Sequence, residues 1–192
     1  MVSRTNADDN RPNHPFVAAL AELRATGRVS TATLAAARAQ AMALPPPRVE
    51  VVAGRPYTRE VLYAEADVGE VMRATWAPGV RSAPHDHGGA RGVVAVLEGR
   101  FEERGYAVSS SLGFCERAVR ELSLGDVLEI DEDRVHTMKS HDARGVTLHV
   151  YAGNVASFRL FDETARVTLR ARGGAWLPAD VVLSEERWEP VP

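Results

Sequence analysis

The sequence predicts an all-β protein, a small sandwich or barrel of short strands, preceded by two short helices. Beyond residue 48, short apolar runs alternate with turns rich in Gly, Pro and Asp, which is typical of many short strands. Before residue 48, apolar residues recur at helical spacing. The chain of 192 residues, 45% of them hydrophobic, can bury one sizeable core, and two complete domains would be cramped. We therefore expect a helical cap, residues 1–47, and a β-barrel domain, residues 48–192, as one structural unit.

The two helices are placed by apolar spacing and by their boundary residues. Between residues 16 and 26 apolar side chains recur at i, i+4 and i+7, and Gly27 follows as a stop signal. A second helix begins after Ser30, a favourable N-cap, and the three prolines at 45–47 end it. Both helices are expected to cover the β domain that follows.

Strands are predicted wherever an apolar run lies between two turn signals. The predicted strands are Val49–Val52, Tyr57–Tyr63, Glu70–Trp76, Gly92–Leu97, Leu124–Ile130 and Val146–Tyr151, with a further pair at Ser157–Phe161 and Arg166–Ala171. The last twenty residues, with Trp176 and Trp188, are expected to pack back against the sheet.

Composition excludes several kinds of function. With 23 Lys and Arg residues against 26 Asp and Glu, the chain lacks the positive charge that binds nucleic acid or an anionic membrane in bulk. No run approaches the ~18 apolar residues of a membrane span, and the N-terminal residues contain no signal-peptide core. The single cysteine, Cys115, excludes an internal disulfide and a multi-cysteine metal site and favours a cytoplasmic location. We expect small-molecule partners, neither nucleic acid nor membrane, and a monomer or weak homodimer.

Three of the six histidines are candidate metal ligands. His85 and His87 lie at i and i+2, so on a strand both imidazoles would point to one face. An exposed pair on a strand edge would show the same pattern, and the tripeptide alone leaves both interpretations open. His136 follows a predicted strand and a polar turn. A third histidine in that position favours a metal site.

Two strands carry further polar side chains of interest. Alternation places Thr147, His149 and Tyr151 on one face of a late strand, with apolar residues on the other face. Such a buried row needs hydrogen-bond partners, which its members can supply to one another. It is either a satisfied polar cluster or part of a site. Tyr57 and Arg59 lie on an early strand, where Arg59 is either a surface cation or a ligand for an anion.

The segments Gly79 to Gly99 and Gly125 to His136 resemble the two sequence motifs of cupins, in the same order. The resemblance implies a jelly-roll-like β-barrel that holds a metal ion inside through the three histidines. Cupins usually add a glutamate ligand, but its expected positions hold Arg91 and Gly92. Three neutral imidazoles leave the ion its full charge, which favours an anionic ligand such as a substrate thiolate. Imidazoles suit iron, zinc, copper and nickel, so ligand type alone does not select the metal.

The complete set resembles the thiol dioxygenases of the cysteine dioxygenase type. These are cupins with a three-histidine ferrous site, an arginine in a Y-x-R segment and a Ser-His-Tyr relay. The matching residues are Tyr57, Arg59, His85, His87, His136, His149 and Tyr151, with Thr147 in place of the relay serine. The resemblance implies Fe(II) as cofactor and oxidation of a small thiol carboxylate by O2 to a sulfinic acid, with L-cysteine favoured. It also implies that Arg59, with Tyr57, binds the substrate carboxylate and that Tyr151, with His149 and Thr147, takes part in catalysis.

Several departures from the family pattern leave alternatives open. Gly92 lies where vertebrate-type members carry a cysteine cross-linked to the relay tyrosine, so we expect no such cross-link and regard Cys115 as a bystander. The glycine-containing turn after Tyr151 resembles relatives that act on 3-mercaptopropionate, although those carry glutamine at the Arg59 position. Arg81 and Arg91 are either rim charges or ligands for a second carboxylate, as in mercaptosuccinate.

Two other classes of function are alternatives to the thiol dioxygenase. One is a cupin isomerase or lyase that uses the three histidines with zinc or manganese. The other is a non-catalytic cupin that binds a small ligand or senses a metal. Arg59 and the His149–Tyr151 pair argue against the first, and the absence of room for an added regulatory module argues against the second.

Overall fold

A computed structural model describes residues 14–45, 54–109, 113–153, 155, 157–172 and 182–188. The helices are α1 (Pro15–Thr26) and α2 (Thr31–Ala43). The strands are β1 (Tyr57–Glu65), β2 (Gly69–Trp76), β3 (Arg91–Glu98), β4 (Phe101–Ser109), β5 (Gly113–Leu122), β6 (Val127–Ile130), β7 (Val135–Ser140), β8 (Gly145–Ala152), β9 (Ser157–Asp162), β10 (Val167–Arg172) and β11 (Val182–Arg187). Over this part of the chain no helix is long and apolar enough to cross a membrane.

The helix boundaries follow the local sequence signals. The side chain of His14 caps α1 by accepting a hydrogen bond from the Phe16 N–H at 3.3 Å. At the other end Gly27 takes φ 75° and donates its N–H to the Leu23 carbonyl, the left-handed ending that favours glycine. Ser30 caps α2 by accepting from the Thr33 N–H. The predicted helix boundaries at Gly27 and Ser30 are confirmed.

The strands form three antiparallel sheets with different roles. A five-stranded sheet has the order β1-β2-β8-β3-β6, and it faces a three-stranded sheet of order β5-β4-β7. The buried core between these two sheets includes Trp76 and Phe101, whose rings meet edge to face at 5.6 Å. A third sheet, β11-β10-β9, contacts the loop before β3 through a bridge between Leu160 and His85. The prediction of an all-β barrel with two N-terminal helices is confirmed.

The five-stranded sheet is apolar on the face that points away from the barrel interior. Leu148 and Val150 of β8 are fully buried there against Phe16, Leu20 and Leu23 of α1. Burying each of those three helix side chains contributes roughly 1.5–3 kcal/mol. The helices therefore explain the unusual pattern of β8: its apolar row faces the helices, and its polar row faces the barrel interior.

Four strands, β4, β5, β7 and β11, escaped the sequence prediction because they carry few consecutive apolar residues. Strands β4 and β5 form a long hairpin in which Glu and Arg residues interrupt the apolar ones. Strand β7 contains His136, Thr137 and Lys139. The strand predicted from Leu124 begins at Val127 instead, because the Asp126 side chain accepts from the Ser123 N–H and closes a turn.

The C-terminal prediction is tested in part. Trp188 packs back as expected, since its indole Nε1 donates to Thr168 Oγ1 at 2.9 Å. Trp176 and the predicted strand Val49–Val52 lie outside the described residues.

Candidate metal centre and its cavity

The three predicted histidines meet at one end of the barrel core. His85, in the loop before β3, exchanges two backbone hydrogen bonds with His136 of β7, at 3.1 and 3.0 Å. His87 follows two residues later, and the three ring centroids lie 4.9 to 5.1 Å apart. One ligand nitrogen from each ring can be chosen so that all lie within 4.8 Å of one another. The structure thus brings together the predicted set.

The chemistry of these rings matches what a metal ion needs. His87 is buried, yet neither ring nitrogen has a hydrogen-bond partner among the described residues. Burial, and then the neighbouring His85 imidazole, hold the pKa values of His87 and His136 well below the ordinary range. Both rings are therefore neutral at physiological pH and offer lone pairs. Because unpartnered buried imidazoles are costly, a bound cation gives this arrangement a physical reason.

Polar groups lie beside two of the histidine rings. His85 Nδ1 lies 2.8 Å from the Ala83 carbonyl, so it carries the proton and leaves Nε2 for a ligand. His136 Nδ1 lies 3.4 Å from Oε1 of Glu103, a fully buried carboxylate that also accepts from Arg134 at 2.7 Å. Glu103 was not among the predicted site residues. Its place two residues after Phe101 on β4 would have been the signal, but β4 itself was not predicted.

The predicted polar row on β8 forms a continuous hydrogen-bonded chain. Trp76 Nε1 donates to Thr147 Oγ1 at 2.8 Å, Thr147 Oγ1 lies 2.7 Å from His149 Nε2, and His149 Nδ1 lies 2.9 Å from the Tyr151 hydroxyl. Burial, and then the charges of His85 and Arg59, lower the pKa of His149 to about 3. The ring is therefore neutral and carries one proton.

One bond of this chain has a fixed direction. The Trp76 indole can only donate, so Thr147 Oγ1 accepts from it. The neutral His149 ring donates at one nitrogen and accepts at the other, so its tautomer sets the direction of the two remaining bonds. With the proton on Nδ1, His149 donates to the Tyr151 oxygen, and the Tyr151 hydroxyl proton is free to be donated elsewhere.

Tyr151 is tightly held beside the metal ligands. Its ring stacks on His87, with centroids 4.9 Å apart and planes at 29°. A Cβ atom at Gly92, across the β3–β8 pairing, would lie only 2.4 Å from Tyr151 Cδ1. Burial raises the pKa of Tyr151 well above its usual value of 10, so the phenol is protonated at neutral pH. Residue 92 must therefore be small for the ring to lie where it does.

Arg59 and Tyr57 extend from β1 into the same space. The Tyr57 ring packs on Trp76 at 4.5 Å, and burial raises the Tyr57 pKa to about 12. Arg59 Nη2 donates to Glu70 Oε1 at 2.5 Å, with the two side chains 21% and 14% exposed. Glu70 was not among the predicted site residues. It lies on β2 at even spacing from Met72 and Trp76, and all three side chains line the same cavity.

One cavity joins the candidate ligands to the other predicted residues. It is lined by His85, His87, His136, His149, Tyr151, Tyr57, Arg59, Glu70 and Asp86, together with Met72, Trp76, Ser82, Ala83, Met138, Val155, Phe158 and Leu160. The cavity has a volume of about 60 Å³, which is room for roughly five water molecules. The arrangement suits a small ligand with an anionic group that reaches Arg59.

Three other residues considered from the sequence lie elsewhere. Arg81 donates to Thr137 Oγ1 and pairs with Glu102, and exposed Arg91 pairs with Glu132 at 2.8 Å. Neither arginine lines the cavity, so their geometry is that of rim charges. Cys115 is exposed on β5.

Comparisons with known proteins give the following likenesses. An uncharacterised conserved protein with a double-stranded β-helix domain from Klebsiella pneumoniae is 22% identical, over 58% of this chain and 84% of that chain, with a TM-score of 0.48. KdgF from Halomonas sp. is 16% identical, over 52% and 80% of the two chains, with a TM-score of 0.43. The cupin domain of Cnp3 from Schizosaccharomyces pombe is 10% identical, over 51% and 61%, with a TM-score of 0.44.

The sequence comparisons are more specific. No curated protein matches the chain. The model of one protein family, described as cysteine dioxygenase type I, matches residues 48–164. This match covers more than half of the chain and includes all the residues that line the cavity.

Proposed function

The chain belongs to the cysteine dioxygenase type I family, and from that premise we propose that it is an iron-dependent dioxygenase that oxidises a small thiol carboxylate, with L-cysteine favoured. The observation that carries the proposal is the single small cavity shared by three neutral, closely spaced imidazoles, Arg59 and the Tyr151 hydroxyl. These groups can hold a metal and a carboxylate and can donate a hydrogen bond, all to one small molecule.

The proposed reaction converts a thiolate and O2 into a sulfinate, RS⁻ + O2 → RSO2⁻. Both oxygen atoms end on sulfur, which loses the four electrons that O2 gains, so no external reductant is needed. Ferrous iron held by His85, His87 and His136 supplies a common binding site for the thiolate and O2 and mediates the electron transfer. The neutral imidazoles suit this role because they leave the positive charge of the ion available to an anionic sulfur.

Arg59 is proposed to position the substrate. Its guanidinium is a permanently charged fork that matches the geometry of a carboxylate. A small thiol held at both ends, by Arg59 and by the metal centre, loses the freedom to present its sulfur in unproductive orientations. Arg59 Nε is buried without a partner among the described residues, which leaves it available to a ligand.

Tyr151 is proposed as a hydrogen-bond donor of the site. With the His149 proton on Nδ1, His149 donates to the Tyr151 oxygen, and the phenol directs its own O–H toward an anionic oxygen of the substrate or product. The raised pKa of Tyr151 keeps that proton in place at neutral pH. Thr147 and Trp76 continue the hydrogen-bonded chain behind His149 and hold its ring in place.

The walls of the cavity are proposed to limit water around the reacting sulfur. Met72, Met138, Phe158 and Leu160 line it and supply apolar surface. An apolar surrounding strengthens the attraction between the charged groups and prevents side reactions of reactive oxygen species. We further propose a cytoplasmic location and no partners beyond the thiol and O2, with the chain a monomer or weak homodimer.

Oxygen uptake by the iron-loaded protein tests the proposal. The panel contains L-cysteine, 3-mercaptopropionate, mercaptosuccinate and cysteamine, each at several concentrations. We expect uptake with one or more carboxylated thiols, together with a stoichiometric sulfinate product. No uptake with any of the four would contradict a thiol dioxygenase and favour a cupin of another class or a ligand-binding protein.

3-Mercaptopropionate is the second candidate substrate, followed by mercaptosuccinate. The carboxylate of either compound can reach Arg59 in the same way as that of L-cysteine. Mercaptosuccinate has a second carboxylate, and neither Arg81 nor Arg91 lines the cavity to receive it. That observation ranks mercaptosuccinate below the other two.

A further inference from the structure

Glu103 is a fully buried carboxylate on β4 that does not itself line the histidine cavity. Its Oε1 accepts from Arg134 Nη2 at 2.7 Å and lies 3.4 Å from His136 Nδ1. Its second oxygen, Oε2, receives no hydrogen bond from the described residues, and His136 Nδ1 likewise has no hydrogen-bond partner among them. A buried acceptor and a buried ring nitrogen, both without a partner, thus lie side by side at a candidate metal ligand.

The pairing of β4 with β7 places Glu103 beside the His136 ring. His136 pairs with Gly105 in this register, and Glu103, two residues before Gly105, points to the same face of β4. Gly105 has no side chain to fill the space there. A Cβ atom at this glycine would lie 3.8 Å from Glu103 Oε1 and 3.9 Å from Arg134 Nη2. The glutamate and the arginine therefore extend into the space opposite His136.

The ion pair between Glu103 and Arg134 is not explained by folding stability alone. The two side chains are 0% and 18% exposed. Removing such charges from water costs free energy that their attraction recovers only in part, and apolar residues of similar volume often stabilise a fold as well or better. The position of this pair at a candidate metal ligand indicates a role in the metal centre.

A carboxylate beside one nitrogen of an imidazole determines what the other nitrogen can do. Burial keeps the pKa of His136 well below its ordinary value, so the ring is neutral and carries one proton. With that proton on Nδ1, the ring can donate to Glu103, and Nε2 keeps the lone pair that binds a cation. The negative charge next to Nδ1 also makes Nε2 a stronger donor to a metal.

We propose that Glu103 is a positioning residue of the metal centre: it accepts the Nδ1 proton of His136, fixes this histidine as a ligand through Nε2 and tightens metal binding, while Arg134 holds the carboxylate in place. This inference rests on the metal-binding part of the proposed function and does not depend on which thiol is oxidised. It assigns a role to a residue that touches neither the substrate nor the metal.

The first test is the metal affinity of Glu103→Gln, which keeps the size of the side chain and removes its charge. Glu102→Gln is the matched control, because Glu102 is the preceding residue of β4, points to the other face and also pairs with arginines, Arg81 and Arg104. The Kd values for Zn(II) and, under anaerobic conditions, Fe(II) are measured by competition with a chromophoric chelator. The folded fraction of each sample is determined by near-ultraviolet circular dichroism.

We expect Glu103→Gln to bind both metals about ten- to a hundredfold more weakly than the wild type, the usual effect of losing a hydrogen-bond partner behind a ligating histidine. Glu102→Gln should bind them as the wild type does. Unchanged affinity in folded Glu103→Gln would overturn the inference.

A double variant, Glu103→Met with Arg134→Met, covers the case in which Glu103→Gln does not fold. It removes both charges together, so no unpaired ion stays buried. We expect a folded protein with the same loss of metal affinity. Wild-type affinity in the double variant would show that the pair serves only the fold.

The ring nitrogen that binds the metal is read from ¹⁵N–¹H correlation spectra of the zinc-loaded protein labelled with ¹⁵N-histidine. We expect zinc on Nε2 of His136 and a proton on Nδ1 whose resonance moves upfield in Glu103→Gln, because the carboxylate acceptor is lost. Zinc on Nδ1 of His136 in the wild type, or an Nδ1 proton that does not shift in the variant, would contradict the inference.

The same measurements separate this inference from the proposed function. If the wild type oxidises no thiol yet binds zinc with a Kd that depends on Glu103, the dioxygenase proposal fails and the role of Glu103 stands. If thiols are oxidised while the Kd values of Glu103→Gln equal those of the wild type, the role of Glu103 fails and the proposed function stands.

Discussion

The Tyr151 ring stacks on the His87 imidazole, with 4.9 Å between the ring centroids. This contact joins two sets of residues that come from different parts of the barrel. His87 belongs to the candidate metal ligands in the loop before β3, and Tyr151 ends the hydrogen-bonded chain on β8. The Tyr151 hydroxyl is therefore held at the same cavity as the candidate metal ligands.

Substitution of Tyr151 by Phe removes this hydroxyl while it preserves the stacked ring. We expect iron binding to persist and kcat to fall by about tenfold or more, the scale of a lost hydrogen bond to a charged group. Steady-state oxygen uptake and iron content are measured on the same sample. A Tyr151→Phe enzyme that turns over at the wild-type rate would remove Tyr151 from the mechanism.

Substitution of His136 by Ala should abolish tight iron binding, because two imidazoles remain from a set of three. The measurement is the iron content after anaerobic reconstitution and desalting. His141→Ala is the matched control, since His141 lies near the surface and pairs with Glu121 at 3.2 Å. Full iron occupancy in His136→Ala would show that His136 is not a ligand.

Substitution of Arg59 by Ala should raise KM for carboxylated thiols by about tenfold or more, through loss of a charge-assisted pair. Iron binding should be unaffected. Cysteamine, which lacks a carboxylate, serves as the internal control, and its KM should change much less. Equal changes for cysteamine and L-cysteine would mean that Arg59 does not bind the carboxylate.

The lowered pKa of His149 predicts that the metal-free protein loses folding stability in acid. Its pKa is about 3 in the folded state, against an ordinary value of 6.5. Between those two pH values His149 is protonated in the unfolded chain but neutral in the folded protein. The stabilisation that the neutral ring contributes is therefore complete above pH 6.5 and is lost as the pH falls toward 3. We expect the free energy of unfolding of the wild type to fall more steeply than that of His149→Gln, by about 1.4 kcal/mol per pH unit.

Denaturant titrations at several pH values between about 6.5 and 4 compare the two proteins within this window. Parallel curves would show that His149 is not held neutral by the fold.

The sequence predicted the candidate site better than it predicted the sheets around it. The histidines and the β8 row are recognisable because their spacing within one segment carries the information. Glu70 and Glu103 are set by register between strands: Glu70 by the pairing of β2 with β1 and β8, and Glu103 by the pairing of β4 with β7. A single charged residue on a strand shows its neighbours only once the pairing is known.

The polar row of β8 also depends on contacts that cannot be seen in the sequence of its own strand. From the sequence, a polar inner face and an apolar outer face contradict a soluble sandwich. The contradiction disappears because α1 covers Leu148 and Val150 on the outside, while Trp76 from β2 satisfies Thr147 on the inside. Both partners are remote in sequence, and neither contact follows from local periodicity.

The most direct test of the central claim is the reaction of the iron-loaded protein with L-cysteine under ¹⁸O2. The account predicts one O2 consumed for each thiol and a sulfinate in which both oxygen atoms carry the label. A product with unlabelled oxygen from water that is not explained by exchange, or no O2 consumption with any carboxylated thiol, would contradict it.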